Sequence, residues 1–171
     1  MYKIIVSFLL LFTFNAFSQS DVFDVARKGT VDEMKLLVKK DADIVNKTNA
    51  DGNSPLILAS YRGNIDVANF LISNIKDINY VSSMGTALMA ASFKGQTLLV
   101  QHLLENNANP NITDSNGTSA LIYATMIKSN EIISLLLKYK ADKMHKDNQG
   151  KTAIDFAILD NDKQIIELLK N

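Results

Sequence analysis

The residue types that most often carry chemistry are few in this chain. There are 171 residues, with two histidines and no cysteine, so thiol catalysis and cysteine-ligated metals are excluded. The histidines, His102 and His145, lie in different parts of the chain and share no short motif. A common metal is therefore not expected, and each reads as structural or solvent-facing. Ser54 and Ser119 could serve as nucleophiles only beside a histidine base, and no histidine matches either in register. Three acidic turns, Asp51-Gly52-Asn53, Asp114-Ser115-Asn116-Gly117 and Asp147-Asn148-Gln149-Gly150, look like fragments of calcium loops. None alternates acidic ligands and then supplies a distant glutamate, so turn chemistry explains them. The expectation is no catalytic residue, no metal and no cofactor.

The same serines fall into a pattern that points to architecture instead. Ser54-Pro55-Leu56, Thr86-Ala87-Leu88, Ser119-Ala120-Leu121 and Thr152-Ala153-Ile154 recur at spacings of 32, 33 and 33 residues. Each is followed by an alanine in register (Ala59, Ala91, Ala124, Ala157) and then by an apolar pair: Leu71-Ile72, Leu103-Leu104, Leu136-Leu137, and Leu168-Leu169 displaced by one. A fixed period of this length is the signature of a stacked repeat array. The hydroxyl residues are placed to cap a first helix, and Pro55 suits its first position. Gly63 and Gly95 should end that helix, with Lys128 where a third glycine would stand. A second helix follows in each unit. In the first unit Val31, Met34, Leu37 and Val38 share one face.

Composition sets further bounds. Hydrophobic residues make up 47%, too many for a disordered chain. Lys+Arg and Asp+Glu are both 18, so no basic field exists to hold a nucleic acid. At the start, Lys3 precedes the apolar run Ile4 to Phe14, and Ala16-Phe17-Ser18 supplies small residues before Gln19. This pattern predicts a signal peptide over 1–18 and a periplasmic or secreted mature chain, with no membrane contact after cleavage. The run is short for a spanning helix.

The units resemble ankyrin repeats, a turn and two short helices, over residues 21–171. The resemblance implies an all-α solenoid of about five helix-turn-helix units with short β-hairpin turns. The units fall at about 21–46, 47–79, 80–111, 112–144 and 145–171, within one domain at 19–171. The first unit lacks its hairpin, and Lys170 puts a charge on the last. Two departures stand out. The family's histidine after Thr-Pro-Leu is replaced by Ile57, Met89, Ile122 and Asp155. The glycine favoured at the end of the second helix is replaced by Asp41, Ile75, Asn107 and Lys140. Wherever those four take a left-handed conformation, each should cost on the order of 1 kcal/mol, least for Asn and Asp.

The resemblance also implies a concave groove lined by the ends of the first helices and the hairpin tips. The positions two before the helix stop are Tyr61, Phe93, Met126 and Leu159, each followed by Arg62, Lys94, Ile127 and Asp160. They form an apolar ladder with a basic edge, and both arginines of the chain, Arg27 and Arg62, lie in this zone. Contiguous exposed aromatic surface marks interaction sites. Tyr61, Arg62, Phe93, Lys94, Met126 and Ile127 are therefore the candidate partner-binding residues of a non-catalytic, monomeric protein-interaction module. The alternatives are an accessory or regulatory domain associated with an envelope enzyme and a structural envelope protein with no dedicated partner.

Overall fold

A computed structural model describes residues 21–170. The leader at 1–18, the cleavage point at Gln19 and the final Asn171 lie outside the described residues.

Ten helices follow in chain order among the described residues. They are α1 (Val22–Lys28), α2 (Val31–Lys40), α3 (Pro55–Arg62), α4 (Ile65–Ile72), α5 (Ala87–Phe93), α6 (Thr97–Glu105), α7 (Ala120–Met126), α8 (Asn130–Lys138), α9 (Ala153–Leu159) and α10 (Lys163–Lys170). A short 3-10 turn, Ile44–Asn46, follows α2. The odd-numbered helices pack side by side in one layer, and the even-numbered helices pack in a second layer against them. The hairpins are slighter than expected. Among the described residues they reduce to two isolated bridges, Ser82 with Gly85 and Thr113 with Ser119.

The hydroxyl residues do what their spacing predicts. Ser54 Oγ accepts the Ile57 N–H at 3.3 Å, Thr86 Oγ1 that of Met89 at 3.2 Å, and Ser119 Oγ that of Ile122 at 3.3 Å. Each satisfies an amide that the first helical turn leaves without a partner. At Thr152 the bond runs the other way. The Asp155 carboxylate accepts from the Thr152 N–H at 2.8 Å and its hydroxyl at 2.7 Å. Those bonds hold the Asp155 carboxyl below its ordinary value of 3.8.

The first helices stop through a left-handed residue in four units: Gly63 (φ 78°), Gly95 (φ 71°), Lys128 (φ 59°) and Asn161 (φ 51°). Lys128 thus adopts the backbone of the glycine it replaces. The second helices divide. Asn107 and Lys140 are left-handed, at φ 67° and 66°. Asp41 is extended at φ −149°, and Ile75 is absent from the positive-φ residues. The expected strain therefore falls on two of the four positions.

Packing follows the repeat. Ala59, Ala91, Ala124 and Ala157 are buried, which lets neighbouring helices approach closely. Leu71, Leu103, Leu136 and Leu169 are also buried, one per unit, in the core between layers. Their partners Ile72 and Leu137 are half-buried, and Lys170 is exposed. A polar ladder, not legible from the repeat pattern, ties the turns together. Asn46 Oδ1 accepts the backbone N–H of Lys76 at 2.9 Å, Asn79 Oδ1 that of Asn109 at 2.7 Å, and Asn111 Oδ1 that of Asp142 at 2.7 Å. Each bond spans about one unit of sequence.

Candidate functional site

The left-handed stops fix where the first helices end, and so place the residues just before them. Tyr61, at the end of α3, is half-buried. The Lys94 ammonium, one unit on, sits 5.0 Å from the centre of the Tyr61 ring, a cation–π arrangement. Phe93, at the end of α5, is 42% exposed. Its ring meets that of Tyr123 edge to face, with centroids 5.5 Å apart at 70°.

Tyr123 is the residue that the sequence reading missed. Its hydroxyl donates to Asp114 Oδ2 at 2.6 Å. Burial, reinforced by the Asp114 carboxylate, pushes the phenol up to about 12. Asp114 is itself fixed, because its Oδ1 accepts the Asn116 and Thr118 amides at 2.9 and 2.8 Å. The turn therefore holds the ring in place. A signal did exist: Tyr123 stands in the repeat column of Leu58, Ala90 and Phe156, where a small or aliphatic residue gives way to an aromatic one.

Tyr61, Phe93 and Tyr123 line one open cleft of about 180 Å³ together with Met84, Met89 and Ala90. The cleft crosses three units. Met126, 46% exposed, lies on the far side of Tyr123 in a second depression with Phe156, Asn116, Thr118 and Asp147. Tyr123 lines both depressions, so the ladder of Tyr61, Phe93 and Met126 is joined through it. Ile127 behaves differently from its neighbours in the candidate set. It is half-buried and packs on the core, leaning towards Gly95 of the preceding unit. Arg62 and Lys94 are exposed, and so is Leu159, at 66%. Arg27 is held by Asp24 at 3.0 Å.

The other residues considered for chemistry are engaged in the scaffold. His102 Nδ1 lies 2.9 Å from Asn69 Oδ1 and links α6 to α4. His145 Nε2 donates to the Gly117 carbonyl at 2.7 Å and joins two turns. Ser54 and Ser119 are caps. Asp114 and Asp147 direct their oxygens at turn amides. No group of three or more metal-ligating side chains converges among the described residues.

Two family models match, both describing ankyrin repeats. One, of many copies, covers residues 22–72, and one, of three copies, covers residues 88–171. The chain belongs to the ankyrin-repeat family. The interval between the two matches holds the turn whose glycine, Gly85, comes one place late. An ankyrin repeat protein of fowlpox virus is 34% identical over 151 residues, which are 84% of this chain and 44% of that protein. An ankyrin repeat-containing protein of Treponema pallidum is 32% identical over 70% of this chain and 41% of its own length. An ankyrin repeat and SAM domain-containing protein of rat is 28% identical over 77% of this chain and 15% of its own. The chain thus spans less than half the length of each of these relatives.

Within the ankyrin frame, the missing histidines have substitutes. Ile57, Met89 and Ile122 are buried, and the Met89 sulfur accepts the Thr86 N–H at 3.4 Å. Ankyrin repeats are generally protein-interaction modules. No helix among the described residues is long and apolar enough to cross a membrane.

Proposed function

We propose that this ankyrin protein is exported, is cleaved before Gln19 in the periplasmic or secretory route, and acts there as a monomeric, non-catalytic module. It docks a partner protein in the groove formed by the ends of its first helices. The observation that carries the reading is the aromatic cleft of Tyr61, Phe93 and Tyr123. The fold needs no aromatic side chain at the first two positions. Caps and buried leucines already supply the helix starts and the core between layers. Large aromatic residues left half open to water are the type that dominates interface energies.

The test pairs binding with stability. Tyr61→Ala and Phe93→Ala should each melt close to the wild type. Each should weaken a partner captured from the exported fraction by about 2 kcal/mol or more. Wild-type affinity in both variants refutes the groove, and unfolding of both assigns the side chains to packing. N-terminal sequencing of the exported protein should begin at Gln19; Met1 retained in the membrane fraction would refute export with cleavage.

A further inference from the structure

Beside the aromatic ladder runs a second column, one residue further along each first helix: Lys28, Arg62, Lys94, Ile127 and Asp160. Its charge changes in order along the stack, from three cations through a neutral residue to an anion. Lys28, Arg62 and Lys94 are all exposed, and none forms an ion pair among the described residues. The arrangement differs at the two ends. Arg27, just before Lys28, is neutralised by Asp24, whereas Asp160 is met at 3.3 Å by Lys128. The groove over the first three units therefore presents three cations without an ion pair of their own alongside apolar surface, with Asp24 and Glu33 bordering Lys28 in one depression. The far end has its charge internally balanced.

On the groove reading given above, we infer that the occupant is an extended acidic segment of a partner protein with apolar anchor side chains. Its acidic residues lie over the first three units, and its polarity is fixed by the charge gradient. Neighbouring packed helices lie about 8–10 Å apart, and a segment extended as a polyproline II helix advances about 3.1 Å per residue with three residues per turn, so every third side chain returns to the same face. One unit therefore corresponds to about three residues. Acidic side chains at every third position would meet Lys28, Arg62 and Lys94 in turn, and an intervening apolar side chain would enter the Tyr61–Phe93–Tyr123 cleft. The cation spacing is close to the screening length of about 8 Å at physiological salt, so each cation attracts its own partner group with little help from the others. A nucleic acid fits less well. Its charge is uniform along the strand, and here the column turns neutral at Ile127 and negative at Asp160.

The experiment is a selection of random twelve-residue peptides displayed on phage against the purified protein. The enriched pool should be rich in Asp and Glu at three-residue intervals, with Leu or Phe between them. A synthetic peptide from that pool should lose roughly tenfold or more in affinity to Arg62→Glu and to Lys28→Glu, and should weaken as salt rises. Lys163→Glu, on α10 outside the groove, should stay within about twofold of wild type, in line with a surface change away from the contact. The neutral pair Arg62→Gln and Lys28→Gln repeats the test should either reversal fail to fold. A basic or uncharged pool that still depends on Tyr61 and Phe93 overturns the acidic occupant and leaves the groove standing. A pool captured equally by Tyr61→Ala and Phe93→Ala, or no enrichment at all, overturns both. Equal binding of a random single-stranded oligonucleotide also overturns the inference.

Discussion

Leu103→Ala should show how much one inter-layer leucine contributes, and the same helix supplies its control. Leu103 lies in α6 with no surface exposed, and Leu98 lies five residues earlier with 63% exposed. Helix α6 packs against α5 in its own unit and against α4 and α8 on either side. Truncating Leu103 removes contacts on several fronts at once, and the surrounding helices, tied by their own turns, can collapse only partly into the space. Core leucine truncations cost about 2–5 kcal/mol through lost transfer energy and the residual cavity. With three helices framing the site, the upper half of that range is expected. Leu98→Ala should stay within about 0.5 kcal/mol of wild type, as surface changes do. Urea unfolding followed by circular dichroism gives both values from the midpoints. Repeat stability is close to a sum of units and nearest-neighbour interfaces. The weakened third unit should therefore also broaden or split the transition. A loss below about 0.5 kcal/mol for Leu103→Ala, or the same loss for both variants, would refute the packing register.

Three further outcomes follow from the backbone and the polar contacts. Lys140→Gly should stabilise by about 1 kcal/mol, because φ is 66° there; Ile75→Gly should destabilise, and thermal melts of the pair check the contrast. Asp155 has a depressed folded pKa, so its contribution is present above 3.8 and is lost as pH falls through the folded value. The wild type should lose that stability as the pH falls below 3.8, and Asp155→Ala should flatten that part of a melting-temperature profile. Asn79→Ala removes the acceptor of the Asn109 amide and should cost about 1 kcal/mol, measured by urea midpoint; no change would show that the ladder contributes nothing at that junction.

The period made the scaffold legible. Ser54, Thr86 and Ser119 cap where the spacing puts them, and Leu71, Leu103 and Leu136 are buried where the pairs recur. Periodicity works here because every unit solves the same packing problem with the same residue types. The groove was legible in part. Tyr61 and Phe93 were found by counting back from the helix stop. Tyr123 was not, because its place depends on a turn carboxylate, Asp114, lying nine residues away in the preceding turn. Ile127 was expected at the surface with Lys94, but an apolar residue beside a glycine of the preceding unit leans inward. The asparagine ladder escaped notice because asparagine in a turn is already explained by local turn chemistry. Asp41 and Ile75 avoid the left-handed backbone that Asn107 and Lys140 adopt, a difference that register alone does not carry.

The ladder of Asn46, Asn79 and Asn111 has a consequence for how such a protein changes over generations. Each asparagine joins its own turn to the backbone of the next by the same bond, at 2.7 to 2.9 Å. The recipient is a main-chain amide, which every non-proline residue supplies whatever its side chain. A junction of this kind is therefore indifferent to which unit follows. Gain or loss of one whole unit by gene duplication or unequal recombination would leave a working junction behind, whereas a break inside a unit would part the asparagine from its amide. The groove can then lengthen or shorten in steps of one unit, and the side chains on its rim can diverge while the joints between units stay the same.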